Sequence, residues 1–433
     1  MSGPDPSWLA AQRRNAAAMM RAATSATHLT RCRAGFGWDV TPAPGSILAS
    51  PRVASWDPEP DYFHHWIRDA AIAIGAVPQA MAADPGSEAF WRQAVTDYVA
   101  FSLRVSDPDA CPISENPLKP ATRPDHLDYL RPDAELAALT GHRRLEEPRV
   151  AADGTPDLER WSRPQDDGPA LRAVSLLHLR PLMAEARSPE AEALVDRDLA
   201  QVLRTAGRDS IGPWEEAPAR RTTFTLIAQW DALMHGAARA TERGAPDTPW
   251  CAAAERVVAL MDEAADPASG GWRESVEAPE GALDSATVLA IAHAAREAGP
   301  FALTAPRTRA TMQALETLFA DLYPINHGHA VPLIGRWRAD VYFGGNPWLP
   351  NTLGFAELDY RIAALTGDGA VFYRAEARMR RIAEICPDPG QPLPEQVAKT
   401  DGSPTACLAL TWSAAAFLGA TGAREAAVQA LSR

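Results

Sequence analysis

The chain is almost without lysine. Lys119 and Lys399 are the only two, so all but these of its 42 basic side chains are arginine, set among 55 acids for a formal net charge of −13. No basic stripe is available to track a phosphate backbone, which excludes nucleic acid as an expected partner. The five cysteines (Cys32, Cys111, Cys251, Cys386, Cys407) include no CxxC pair and no metal-ligand spacing. They read as reduced, buried thiols rather than a disulfide framework. Runs of about 18 uninterrupted apolar residues are missing as well, so no membrane span is expected. The first twenty residues, MSGPDPSWLAAQRRNAAAMM, hold no apolar stretch suited to a signal peptide, and a cytoplasmic location is expected. GxSxG, HExxH and P-loop patterns are absent, which leaves serine hydrolase, zincin and NTPase chemistry without support. HGH at His327–His329 offers two histidines and no third ligand.

What the chain does have is helix signal. With 433 residues, 46% of them hydrophobic, it can bury a large core. About twelve helical stretches recur, mostly as pairs joined by short loops. They begin with PSWLAAQRRNAAAMMRAATSATHL and RDAAIAIGAVPQAMAA and end with SPTACLALTWSAAAFLGAT, followed by a short helix after Gly422. Strand-like runs are brief, TPAPGSILASPRV among them. Helical pairs at this length build either a solenoid or a closed barrel of inner and outer helices. No fixed-period repeat is found, and long loops rich in tryptophan, arginine and acids suit one shared mouth. The expectation is a single all-α domain over 1–433, a closed helical barrel with long loops around one pocket, its first 45 residues a helical arm packed on it.

Five loops that each open a helix carry the candidate chemistry. PDYFHHWIRD (60–69) gathers Tyr62, Trp66, Arg68 and Asp69; a helix N-terminus with core aromatics would explain it equally well. ERWSRPQDDGPALRA holds Trp161 and, in Asp166 or Asp167, a helix cap. RDSIGPWEEA puts Trp214 before Glu215 and Glu216. A carboxyl pressed on an indole face loses hydration and becomes a better proton donor at neutral pH, whereas a solvated acidic loop would need none of that. GRWRADVYFGGNPW brings Arg336 and Asp340, and QPLPEQVAKTDG brings Glu395 just before a helix containing Trp412. Neutral sugars are bound by such sets, with rings stacking on the apolar sugar face and carboxylates and guanidinium forks taking hydroxyls.

In their order, YFHHWIRD, RWSRPQDDGPALRA, GPWEE, GRWRADVYFGGNPW and PEQV with LTWS resemble the glucoamylase family of inverting glycoside hydrolases (glycoside hydrolase family 15), which includes glucodextranases and some trehalases. The resemblance runs from about Gly45 to Gly419. It implies an (α/α)6 barrel and an exo-acting α-glucosidase that needs no cofactor. By position it makes Glu215 the general acid and Glu395 the general base, with Tyr62 helping to hold the attacking water. It makes Arg68 and Asp69 the clamp on the terminal glucose and Arg336 a further hydroxyl ligand. Glu216 would contact the next sugar, Trp161, Trp214 and Trp412 would wall the pocket, and Trp66 and Asp340 join the binding set. His64 and His65 depart from the family, which more often has a tyrosine–threonine pair there. A β-sandwich ahead of the barrel and a starch-binding module are both missing, so soluble malto- or isomalto-oligosaccharides or trehalose are the expected substrates, with transfer to another sugar as an alternative outcome. A non-catalytic sugar-binding module and a helical scaffold for protein partners are the readings from other classes; the first is disfavoured by the presence of both acids, the second by the expected blind acidic pocket.

Overall fold

The computed structural model describes residues 3–54 and 59–433. Fourteen α-helices follow in chain order among these residues: α1 Pro6–Ala23, α2 Ile67–Gly75, α3 Val77–Ala83, α4 Glu88–Val105, α5 Asp133–Ala137, α6 Asp167–Leu179, α7 Pro189–Thr205, α8 Thr223–Glu242, α9 Thr248–Glu263, α10 Ala286–Ala294, α11 Pro306–Leu322, α12 Leu349–Thr366, α13 Gly369–Ile385 and α14 Thr411–Leu431. Their starts are chemically marked. Asp5 accepts from Ser7 N and Trp8 N, Ser188 from Ala191 N, and Asp368 from Ala370 N and Val371 N, each satisfying amides that a helix leaves unpaired.

Burial sorts the helices into two layers. In α10 every residue except His293 is buried, a pattern only an interior helix can carry. In α7 the buried set Ala191, Leu194, Val195, Asp198, Leu199 and Val202 follows i, i+3, i+4 spacing and marks a single stripe. The interior helices close a ring: α2 packs on α6, α6 on α8, α8 on α10, α10 on α12, α12 on α14, and α14 returns to α2. Outside it, α1 lies on α14 and α3, α7 on α6 and α8, α9 on α8, α11 on α10, and α13 on α12, while α4 packs on α7. This alternation is the (α/α)6 barrel. No helix among the described residues is long and apolar enough to cross a membrane.

The six inner helices run the same way. Arg68 and Asp69 open α2, Asp167 opens α6, Trp348 immediately precedes α12 and Trp412 opens α14, all at one end. Later residues of the same helices, Gly75, His178, His293 and Arg361, line a cavity along the barrel axis. The positive ends of the helix dipoles therefore converge where the acids gather.

Several expectations shift. The single helix expected over 68–83 is two, α2 and α3. Pro78 cannot donate to Ile74 O and its ring crowds that carbonyl, so the helix stops at Gly75 and restarts at Val77. The helix expected from Ser403 begins only at Thr411. Residues 404–405 instead form a strand paired with 396–397, and Ala406 is left-handed at φ 58°. The separate short helix after Gly422 is the continuation of α14, where glycine suits the close passage of Gln79, whose Cγ would stand 2.9 Å from an added Cβ. The 41–53 run forms no strand of its own; Ile47 makes one isolated bridge to Thr24. All five cysteines are free as expected, but Cys32 and Cys111 are exposed and only Cys407 is buried.

Candidate active site

Short strands aim the chain into the mouth. The strand His64–Trp66 pairs antiparallel with the strand Arg149–Ala151, and His65, fully buried, accepts from Ile47 N through Nδ1 at 2.9 Å. The chain passes from the first of these strands straight into α2, so Arg68 and Asp69 occupy its first turn. Asp69, the acid of the first turn, meets the positive end of the α2 dipole.

Glu215 sits on the loop between α7 and α8. Its amide closes a turn on Gly212 O at 3.0 Å, and its backbone is left-handed at φ 65°, a conformation that costs a non-glycine residue about 1–3 kcal/mol and gathers at functional sites. Oε1 accepts from Trp66 Nε1 (2.7 Å), Gln165 Nε2 (3.1 Å) and Arg68 Nη2 (3.3 Å). Oε2 accepts from Trp161 Nε1 at 2.5 Å. The two indoles are thus hydrogen-bond donors to the acid rather than stacked covers. Arg149 lies against the Trp161 ring, 3.6 Å from its centroid, and fixes that wall from behind.

Glu395 approaches from the other side of the same cavity. It is fully buried, and burial pushes its carboxyl up to about 7 against the opposing pull of the Cys407 amide (3.2 Å to Oε2) and the Tyr62 hydroxyl (3.0 Å to Oε1). Its backbone is held at both ends, its amide donating to Cys407 O at 2.7 Å and its carbonyl accepting from Leu349 N at 2.9 Å. Tyr342 meets the Tyr62 oxygen at 2.7 Å. With Tyr62 donating to Glu395, Tyr342 must donate to Tyr62, giving a directed chain of two phenols that ends on the carboxylate.

Arg68 is hemmed by acids: Asp167 Oδ2 at 3.1 Å, Glu215 at 3.3 Å and Asp69 Oδ2 at 3.5 Å. Burial raises Asp69 to about 6, partly offset by Arg68. Arg336 pairs through Nε and Nη2 with Asp340, the Nε bond at 2.9 Å, and lies over Trp337, 4.4 Å from the ring centroid. Trp214 and Trp412 stack with centroids 6.5 Å apart, and Trp348 stands edge-on to both. Trp214 Nε1 is tied to Asp284 at 2.7 Å, a carboxyl that burial lifts to about 7.

One cavity of about 250 Å³ brings together Tyr62, Trp66, Arg68, Asp69, Trp161, Trp214, Glu215, Glu216, Arg336, Glu395 and Trp412. That volume lies below the ~300–1,000 Å³ of pockets for drug-sized ligands, as a site for one small unit should. Asp340 stands outside it, holding Arg336. Glu216 is exposed at the rim, its carboxylate 3.6 Å from Arg336. Sequence reasoning passed over Tyr342 and Trp348, although both lie in GRWRADVYFGGNPW, and over Gln165. Of the two candidate caps of α6, Asp166 makes no side-chain capping bond and Asp167 is a partner of Arg68. Asp284 carried no signal beyond a helix start. Among the described residues no group of three or more His, Cys, Asp or Glu side chains is placed to hold a metal.

Two carboxyls from distant loops, lining one pocket at the mouth of a helical barrel, define the class: a glycoside hydrolase of the (α/α)6 type. The sequence pattern of the family described as Glycosyl hydrolases family 15 matches residues 137–422, and the chain belongs to that family. It is 27% identical over 439 residues to Glucoamylase-1 of Schizophyllum commune, covering 90% of this chain and 70% of that one. It is 28% identical over 431 residues to a probable glucoamylase of Schizosaccharomyces pombe, covering 88% and 85%. The fold matches the glucoamylase structure from Hormoconis resinae with a TM-score of 0.75 at 24% identity, over 96% of this chain and 73% of that one. For the glucoamylase structure from Saccharomycopsis fibuligera the TM-score is 0.72 at 19% identity, over 99% and 97%.

Proposed function

We propose that the protein is an exo-acting, inverting α-glucosidase that releases β-glucose from the non-reducing end of soluble malto- or isomalto-oligosaccharides. The observation that carries this reading is Glu215 and Glu395 lining one small cavity, the first gripped by indole and guanidinium donors and the second joined to a phenol chain. Inversion needs two carboxyls roughly 6.5–9.5 Å apart, with a water beside the base. Glu215 anchors Oε1 with three donors and carries the leaving-group proton on Oε2. Glu395 takes a proton from the water that attacks the anomeric carbon on the opposite face, and Tyr62 orients that water. Asp69 accepts from hydroxyls of the bound glucose and the Arg336 N–H groups not bonded to Asp340 donate to them, while the Trp214–Trp412 stack faces its apolar side.

The base must be ionised, so kcat/KM falls as pH drops through the Glu395 value. The acid limb of the kcat/KM profile is expected near pH 7, with Asp69 at about 6 adding a second, overlapping loss. The Tyr62 hydroxyl lowers the Glu395 value by bonding its charged form, so Tyr62→Phe is expected to move the limb to higher pH. Rates on maltose from pH 4 to 9 test this; a limb that stays put in Tyr62→Phe contradicts the assignment of Glu395 as the group that titrates.

A further inference from the structure

The loop that carries the acid, residues 212–218, stands between two cavities. One is the catalytic pocket; the other, of about 230 Å³, reaches Ser275, Asp284 and Trp337. Pro213, Trp214, Glu215 and Glu216 line both. A side chain in such a partition has a void where a core residue has packed neighbours, so packing alone does not fix its position. Glu215 and Trp214 are held by different means. Glu215 is gripped from the catalytic side by Trp66, Arg68, Trp161 and Gln165. Trp214 meets Trp412, Trp348 and the Arg336 guanidinium through its ring, contacts along which a ring can slide. Its one side-chain hydrogen bond among the described residues runs from Nε1 to Asp284 Oδ2 at 2.7 Å.

Asp284 is placed to serve as the anchor of that bond. It is buried, and its other oxygen, Oδ1, accepts from Ala286 N at 2.8 Å where α10 begins. The next residue is stitched to a neighbouring segment: Ser285 N donates to Arg336 O at 3.0 Å, and Ser285 Oγ to Gly335 O at 2.7 Å. The carboxylate thus sits on the wall of the barrel and the indole on the loop, and the bond between them sets where the Trp214 face stands against Trp412. A helix cap would account for the Ala286 bond but has no use for the one to Trp214.

Resting on the glucosidase reading above, we propose that Asp284 is a positioning residue for substrate affinity: through Trp214 Nε1 it holds the indole face on which the terminal glucose stacks, and it takes no part in the proton transfers. Its loss weakens binding of the ground state and the transition state alike, raising KM while kcat stays near wild type.

Asp284→Ser separates the two bonds, because a serine hydroxyl can still accept from Ala286 N and is too short to reach Trp214. Steady-state kinetics at pH 8, where the Asp284 carboxyl is ionised, compare wild type, Asp284→Ser, Trp214→Phe and the double variant on maltose and α-glucosyl fluoride. All four are read below their melting transitions. For Asp284→Ser the expected KM is about 10-fold higher on both substrates, the scale of one hydrogen bond to a charged group, with kcat within about twofold of wild type. Trp214→Phe, which keeps a ring without the N–H, raises KM as well, and adding Asp284→Ser to it raises KM no further, since the bond is already gone. An unchanged KM in Asp284→Ser, a loss confined to kcat on maltose, or a further rise in the double variant overturns the proposal and leaves the glucosidase reading standing. A wild-type protein inert on both substrates overturns that reading, and the proposal with it.

Discussion

Glutamine at position 215 lowers kcat on maltose by about 10²–10⁴-fold, the usual contribution of one positioned acid or base, with KM changed little. The substitution keeps the side chain's shape. With the amide oxygen under Trp66, Gln165 and Arg68, however, the amide nitrogen faces Trp161 Nε1–H, and two donors meet where one bond stood. What is lost is the proton for the departing oxygen. A substrate whose leaving group needs none, α-glucosyl fluoride, should therefore be turned over by Glu215→Gln at close to the wild-type rate. Glu395→Gln should lose both substrates alike, because the water must be deprotonated whichever group leaves. Equal losses on maltose and the fluoride in Glu215→Gln would remove that residue from the acid role.

The second large effect concerns the barrel itself. Arg172 on α6 meets Asp198 on α7 through two bonds of 2.7 Å, Nε to Oδ2 and Nη2 to Oδ1, with side-chain exposures of 2% and 0%. Asp198→Ala leaves a guanidinium buried with no counter-charge between the inner and outer layers, which costs about 3–5 kcal/mol. The thermal midpoint should drop clearly, while kinetics at a permissive temperature stay near wild type, since the pair lies outside the pocket. Replacing both partners together, Arg172→Met with Asp198→Leu, should recover most of the loss because no charge is stranded. A single substitution that melts like wild type would mean that water reaches the pair.

The architecture was legible because periodicity speaks for itself: helices buried all round alternate with helices buried on one stripe, and no repeat period argued for a solenoid. The pocket was legible where its residues cluster in sequence. Tyr62, Trp66, Arg68 and Asp69 arrive on one strand–helix junction, and Trp214, Glu215 and Glu216 on one loop. What stayed hidden depends on partners far along the chain. Asp284 matters through Trp214, seventy residues away, so its role is not written in its neighbours. The late start of α14 has the same origin. The expected helix over 403–410 gives way because Cys407 is tied to Glu395, its carbonyl accepting from the Glu395 amide and its amide donating to the carboxylate, while 404–405 pair as a strand with 396–397. Local preference lost there to the loop that holds the base.

The six inner helices also explain why so many acids can share one end. Asp69 and Asp167 sit in first turns, Asp284 lies two residues ahead of α10, and the Glu395 carbonyl accepts from the first amide of α12. Each lies near a positive helix end, which offsets part of the repulsion that crowding them creates. The central claim is that Glu215 and Glu395 act on opposite faces of one glucose with a water between them. Proton NMR of the sugar released in the first turnovers from maltose, recorded before mutarotation, tests it most directly. The β-anomer is expected; the α-anomer as first product would contradict the arrangement.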